Sequence, residues 1–107
     1  MLVERTPQDI ERAAKVFKAL SHPGRLEIAC RLAEDESTQT ALIEAMGLPQ
    51  STVARLLAPL RDLDLVKGER KGQEVRLSVG DPIISELVQS VCGWLHPDAQ
   101  SEGEEEQ

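Results

Sequence analysis

With 107 residues, only one Phe, one Trp and no Tyr, the chain is one small domain whose core has to be aliphatic. No apolar run approaches the roughly 20 residues that span a bilayer, and Met1 to Pro7 lacks the apolar stretch of a secretion signal, so no membrane partner and a cytoplasmic location are expected. The net charge of −7 argues at first against a polyanionic partner, but Asp98, Glu102, Glu104, Glu105 and Glu106 crowd the last ten residues, and removing those five acids leaves −2.

Thr6-Pro7-Gln8-Asp9 is a helix start: a hydroxyl cap, Pro in the first turn and an acid three residues on. Ile10, Ala13, Ala14, Phe17 and Leu20 then mark the expected buried face of a first helix. Ser21-His22-Pro23-Gly24 ends it and opens a second, with Leu26, Ile28, Ala29 and Leu32 inward and Cys30 beside them. Glu34-Asp35-Glu36 is an acidic loop, and Ser37 or Thr38 caps a third helix that extends to Met46. Gly47-Leu48-Pro49 is a tight turn into a fourth helix, Gln50 to Asp62. There Val53, Leu56, Leu57 and Leu60 hold the i, i+3, i+4, i+7 spacing of a buried stripe. Pro59 removes the bond to the Arg55 carbonyl, so this helix is expected to bend there or to offer only about two turns to a partner.

The period then changes from helical to 2. Gln73, Val75, Leu77 and Val79 alternate with Glu74, Arg76 and Ser78, and Leu65 to Val79 should fold as a hairpin over a Lys71-Gly72 tip. Gly80-Asp81-Pro82 starts a last helix with Ile84, Leu87, Val88, Val91 and Leu95 as its stripe, ended by Pro97. The fold class is mainly α with a small β-hairpin, in the order ααααββα. Residues 1–96 form the domain, and 97–107, Glu-rich and without large apolar side chains, are expected to be a disordered acidic tail.

Two short helices at a tight turn followed by a basic hairpin describe a winged helix-turn-helix. Between Gln50 and Leu77 six bases face four acids, a local +2 inside an acidic protein. Gln50 stands at the start of the fourth helix, with Ser51, Thr52 and Arg55 opposite its apolar stripe. Such donors at the head of a helix suit base edges in a major groove of double-stranded DNA. Arg70, Lys71 and Gln73 on the wing suit phosphate or the minor groove.

Leu20-Ser21-His22-Pro23-Gly24-Arg25-Leu26-Glu27-Ile28, Gln50-Ser51-Thr52-Val53, Leu60-Arg61, Leu65-Val66 and Lys71-Gly72-Gln73-Glu74-Val75 together resemble the ArsR/SmtB family of bacterial winged-helix repressors over about residues 8 to 96. The resemblance implies a homodimer paired through its first and last helices, which binds an inverted-repeat operator and releases it when an inducer is sensed. Ala54 and Leu56 stand where the family usually has Ser and His, Arg76 and Leu77 replace its wing tyrosines, and Asp64 takes the place of a Gly before Leu65-Val66.

The ligand sets of the family's metal sensors are missing. Ser37 to Gly47 contains no Cys or His, and Ile83 stands where a last-helix His would be. Asp81 and His22 read as helix-start residues and His96 as the end of the last helix, so no metal or other cofactor is expected. Cys30 and Cys92 are either small buried hydrophobes or a dithiol switch. Cys30 lies eight residues after the motif His, as does one cysteine of the family's reactive-sulfur-sensing branch, whereas Cys92 lies about one helical turn before that branch's second cysteine. This resemblance implies reactive sulfur species or an oxidant as inducer. A bridge closing about 60 residues carries roughly 4 kcal/mol of chain-entropy effect, above the ~1–3 kcal/mol typical of allosteric coupling. Arsenite held by cysteines of both subunits, a regulator without a thiol sensor, and an interaction module that has lost DNA binding are the alternatives. No catalytic constellation is present.

Overall fold

The computed structural model describes residues 4–96, and the expected acidic tail lies outside them. The chain opens with α1 (Pro7–Leu20), whose start is a complete capping box: the Asp9 N–H donates to Thr6 Oγ1 at 3.1 Å and the Thr6 N–H to Asp9 Oδ2 at 3.0 Å. Those bonds hold the exposed Asp9 carboxyl below the usual carboxylate range. In α2 (Pro23–Glu34) the cap is His22, whose Nδ1 accepts the Gly24 N–H at 3.0 Å. The expected helix-start role of His22 thus has a specific chemical form.

A two-residue strand, β1 (Ser37–Thr38), precedes α3 (Gln39–Met46) and escaped the sequence reading because two residues carry no periodicity. Thr38 serves twice, pairing with Arg76 and capping α3 through its Oγ1. Gly47, at φ 65°, closes α3 in the left-handed region that glycine enters freely, and turns the chain into α4 (Gln50–Asp62). Pro59 does not divide α4: the helix continues to Asp62, and the Leu63 N–H donates to the Pro59 carbonyl at 3.2 Å. Asp64, at φ 60°, occupies a left-handed position of the kind glycine favours, which Asp tolerates better than most residues.

The wing is β2 (Val66–Lys71) and β3 (Glu74–Val79), antiparallel, with Lys71 opposite Glu74 and Val66 opposite Val79. Gln73 was expected to begin the strand; it lies instead in the turn with Gly72, whose φ of 65° falls in the left-handed region that glycine enters most freely. β3 is the central strand of the order β1-β3-β2. Asp81 caps α5 (Pro82–Leu95), accepting the Ile83 N–H at 2.9 Å, as its helix-start reading required.

The core gathers around α2: Ile28 and Ala29 are fully enclosed with Leu42 of α3, Val53 and Leu60 of α4, Val66 of β2 and Leu77 of β3. The α4 stripe of Val53, Leu56, Leu57 and Leu60 is buried as its spacing requires. Gly24 allows the start of α2 to come against Leu56, since a Cβ there would sit 2.9 Å from a Leu56 methyl.

The stripes of α1 and α5 behave differently. Of the expected buried face of α1 only Leu20 is inside, while Ile10, Ala13, Ala14 and Phe17 are exposed. On α5, Ile84 and Val88 are buried and Leu87 half-buried, but Val91 and Leu95 are exposed, as is Trp94, which the stripe omitted. The physical reason is that α2 covers only one side of each helix, so the rest of each apolar face has no surface of its own chain to meet. Phe17 at 60% and Trp94 at 77% exposure mark an uncovered apolar edge.

Candidate nucleic-acid interface and thiol pair

The α4 stripe that anchors the helix to the core also determines what faces outward. With Val53 and Leu57 inward, Gln50, Ser51, Ala54 and Arg55 are exposed, and Thr52 is half-buried on the flank. The first turn of α4 uses the Pro49 carbonyl as its cap acceptor, for the N–H groups of Thr52 at 3.0 Å and Val53 at 3.1 Å, and no side chain covers that end. Arg55 makes no ion pair among the described residues, so its guanidinium is free to seek an external acceptor.

The wing lies across a groove from this helix end. A volume of about 410 Å³ is bounded by Gln39 and Thr40 of α3, Gln50 of α4, and Arg70, Gln73 and Glu74 of the wing. The structure therefore brings Gln50, Arg70 and Gln73 together around one opening. Ser51, Arg55 and Lys71 are exposed outside that lining. Arg70 Nη1 lies 3.5 Å from the Gly72 carbonyl, which draws the guanidinium over the wing turn. Gln39 and Thr40 were not selected from the sequence. Their signal was present: polar side chains on the first turn of α3, where unpaired backbone N–H groups attract anions. Arg76 faces elsewhere, pairing with Glu36 at 3.3 Å, and Leu77 is fully buried. Neither position can do what an exposed wing tyrosine would.

No group of three or more His, Cys, Asp or Glu side chains with metal-holding geometry exists among the described residues. The two cysteines, in contrast, meet: Cys30 Sγ of α2 lies 3.6 Å from Cys92 Sγ of α5, in van der Waals contact and unbonded. Cys30 is half-buried and Cys92 exposed. Burial, the neighbouring Cys92 and the carboxylates of Glu34 and Glu27 push the Cys30 thiol up to about 11. Their separation of 62 residues in sequence gave no geometric warning of this contact; it follows from α5 packing along α2.

Residues 22–67 match the model of the bacterial regulatory protein family arsR. The HTH-type transcriptional regulator NmtR of Mycobacterium tuberculosis is 38% identical over 85 residues, 77% of this chain and 71% of that protein. Among solved structures, reduced HlyU from Vibrio cholerae superposes with a TM-score of 0.73 at 26% identity, over 84% of this chain and 90% of that one. The homodimeric winged helix-turn-helix DNA-binding domain of Mb0332 from Mycobacterium bovis does so at 0.72 and 26%, over 85% and 86%. The chain belongs to the arsR family of bacterial regulatory proteins: it is a winged helix-turn-helix transcriptional regulator, not an enzyme.

Proposed function

We propose that the protein is a homodimeric repressor that binds an inverted-repeat operator and releases it when Cys30 and Cys92 are oxidised or bridged by reactive sulfur. Gln50, Ser51, Thr52 and Arg55 read base edges in the major groove, and Arg70, Lys71 and Gln73 hold the flanking backbone or minor groove. Gln39 and Thr40 grip the phosphate that enters the same opening. The uncovered apolar edge supports the dimer: Phe17, Leu20, Leu26, Leu87 and Val91 line a groove of about 240 Å³ with almost no polar surface, which a second copy of α1 and α5 fills. The homodimeric Mb0332 domain, of similar fold, supports a homodimer.

The observation that carries the switch is the 3.6 Å between the two sulfurs. A disulfide needs about 2.05 Å, so a shift of roughly 1.5 Å between α2 and α5 or their side chains closes the bond. Because α5 also belongs to the proposed dimer face, that shift would alter the relative placement of the two reading heads. The test is operator binding by the reduced and the oxidised dimer. An affinity loss of about tenfold or more on oxidation, absent from the Cys30→Ser, Cys92→Ser double variant, is expected; equal affinities in both states would refute the switch.

A further inference from the structure

We propose that the two thiols have fixed roles: Cys92 makes the first bond to a small electrophile containing a weak O–O or S–S bond, and Cys30 resolves the product into an intramolecular disulfide. This rests on the switch reading above and assigns its direction.

Three observations set the order. Cys92 is exposed near the end of α5, whereas Cys30 is half-buried on α2, so an electrophile arriving from solvent meets Cys92 first. Cys92 lies on the α2-facing side of its helix, as its contact with Cys30 requires, and is not among the residues lining the apolar groove assigned to the partner copy. Burial, then the neighbouring Cys92, then the carboxylates of Glu34 and Glu27 on its own helix disfavour the Cys30 thiolate needed for a first attack. Attack on the adjacent Cys92 sulfur is different: at 3.6 Å no encounter is needed, so proximity offsets the small thiolate fraction.

With a hydroperoxide, the Cys92 thiolate attacks one oxygen and the O–O bond breaks. The leaving oxygen takes a proton, and Cys92 sulfur, oxidised by two electrons, becomes the sulfenic acid. Cys30 then attacks that sulfur; the S–S bond forms, the S–OH bond breaks, and the Cys30 proton leaves with the hydroxide as water. With a persulfide, Cys92 takes the outer sulfur and a thiolate departs. Cys30 then displaces that sulfur as hydrosulfide, again leaving Cys30 joined to Cys92.

The experiment exposes the reduced full chain, Cys30→Ser and Cys92→Ser to limiting hydrogen peroxide or cysteine persulfide and follows intact mass after quenching. The expected result is a loss of two hydrogens in the unmodified sequence. Cys30→Ser should accumulate one added oxygen from peroxide, or one added sulfur from persulfide, on Cys92. Cys92→Ser should react several-fold more slowly, since the remaining Cys30 is half-buried and flanked by Glu34 and Glu27, whereas Cys92 is exposed. Brief limiting alkylation of the unsubstituted protein, followed by peptide mapping, gives the same answer without a variant: Cys92 should label first. A Cys30 adduct formed at the unsubstituted rate in Cys92→Ser, or Cys30 labelling first, overturns the assignment while leaving a switch intact. Failure of the unsubstituted chain to form any internal disulfide overturns both.

Discussion

At the scale of single residues, the proposed interface assigns sequence reading to the outward face of α4 and backbone holding to the wing. Arg55→Ala should lower affinity for the operator by about 1–3 kcal/mol and relax preference at one position, while Lys71→Ala should weaken binding to all sequences alike and reduce the salt slope by about one; titrations at several salt concentrations distinguish the two. Gly80 gives a stability test. A Cβ there would collide with the Asp64 backbone carbonyl, which cannot swing away as a side chain would, and the Gly80 N–H also donates to the Leu65 carbonyl at 2.8 Å. Gly80→Ala should therefore cost about 1–3 kcal/mol in denaturant unfolding. The raised Cys30 pKa adds a pH signature. A thiol pushed up in the folded state contributes stability that is complete below its unfolded value near 8.5 and is lost as pH rises through about 11. Alkylation of Cys30 should accordingly keep accelerating above pH 9, and a plateau at or below that point would contradict the assigned environment.

At the scale of elements, periodic segments were legible and short or long-range features were not. The stripe Val53, Leu56, Leu57 and Leu60 located α4 and hence its outward residues, because burial of one face is a local property of spacing. Caps at Thr6, Thr38 and Asp81 were equally readable. β1 was not, since its two residues make a strand only by pairing with β3. Gln73 moved from strand to turn because the alternating pattern carries no information on which residues bend the hairpin. The Cys30–Cys92 contact depends on how α5 crosses α2, a fact no window of sequence contains. The same is true of α1: spacing groups its apolar residues on one face, but only Leu20 of them is buried within this chain. Phe17→Glu places a charge on that face while leaving the internal core untouched. It should yield a folded monomer in light scattering, with unfolding within about 0.5 kcal/mol of the parent subunit, and a persistent dimer would remove α1 from the interface.

At the scale of the whole molecule, charge and symmetry decide how such a protein can act. A net charge of −7 weakens non-specific attraction to DNA, and the proposed dimer would offset this by engaging two reading heads at once. That requirement connects the uncovered edge of α1 and α5 to the groove between α4 and the wing: without the dimer, one short helix and one wing offer few contacts. In the proposed switch the thiol pair would draw its leverage from the same place, because a bridge between α2 and α5 would act where the fold body meets the proposed dimer face. The most direct measurement is selection of binding sites by the reduced protein from a random duplex pool at moderate salt. A dimeric reader should enrich inverted repeats whose half-sites lie about one helical turn, roughly 10 base pairs, apart, with the preference relaxed in Arg55→Ala. A pool that emerges without enrichment, or with single half-sites in place of repeats, would contradict it.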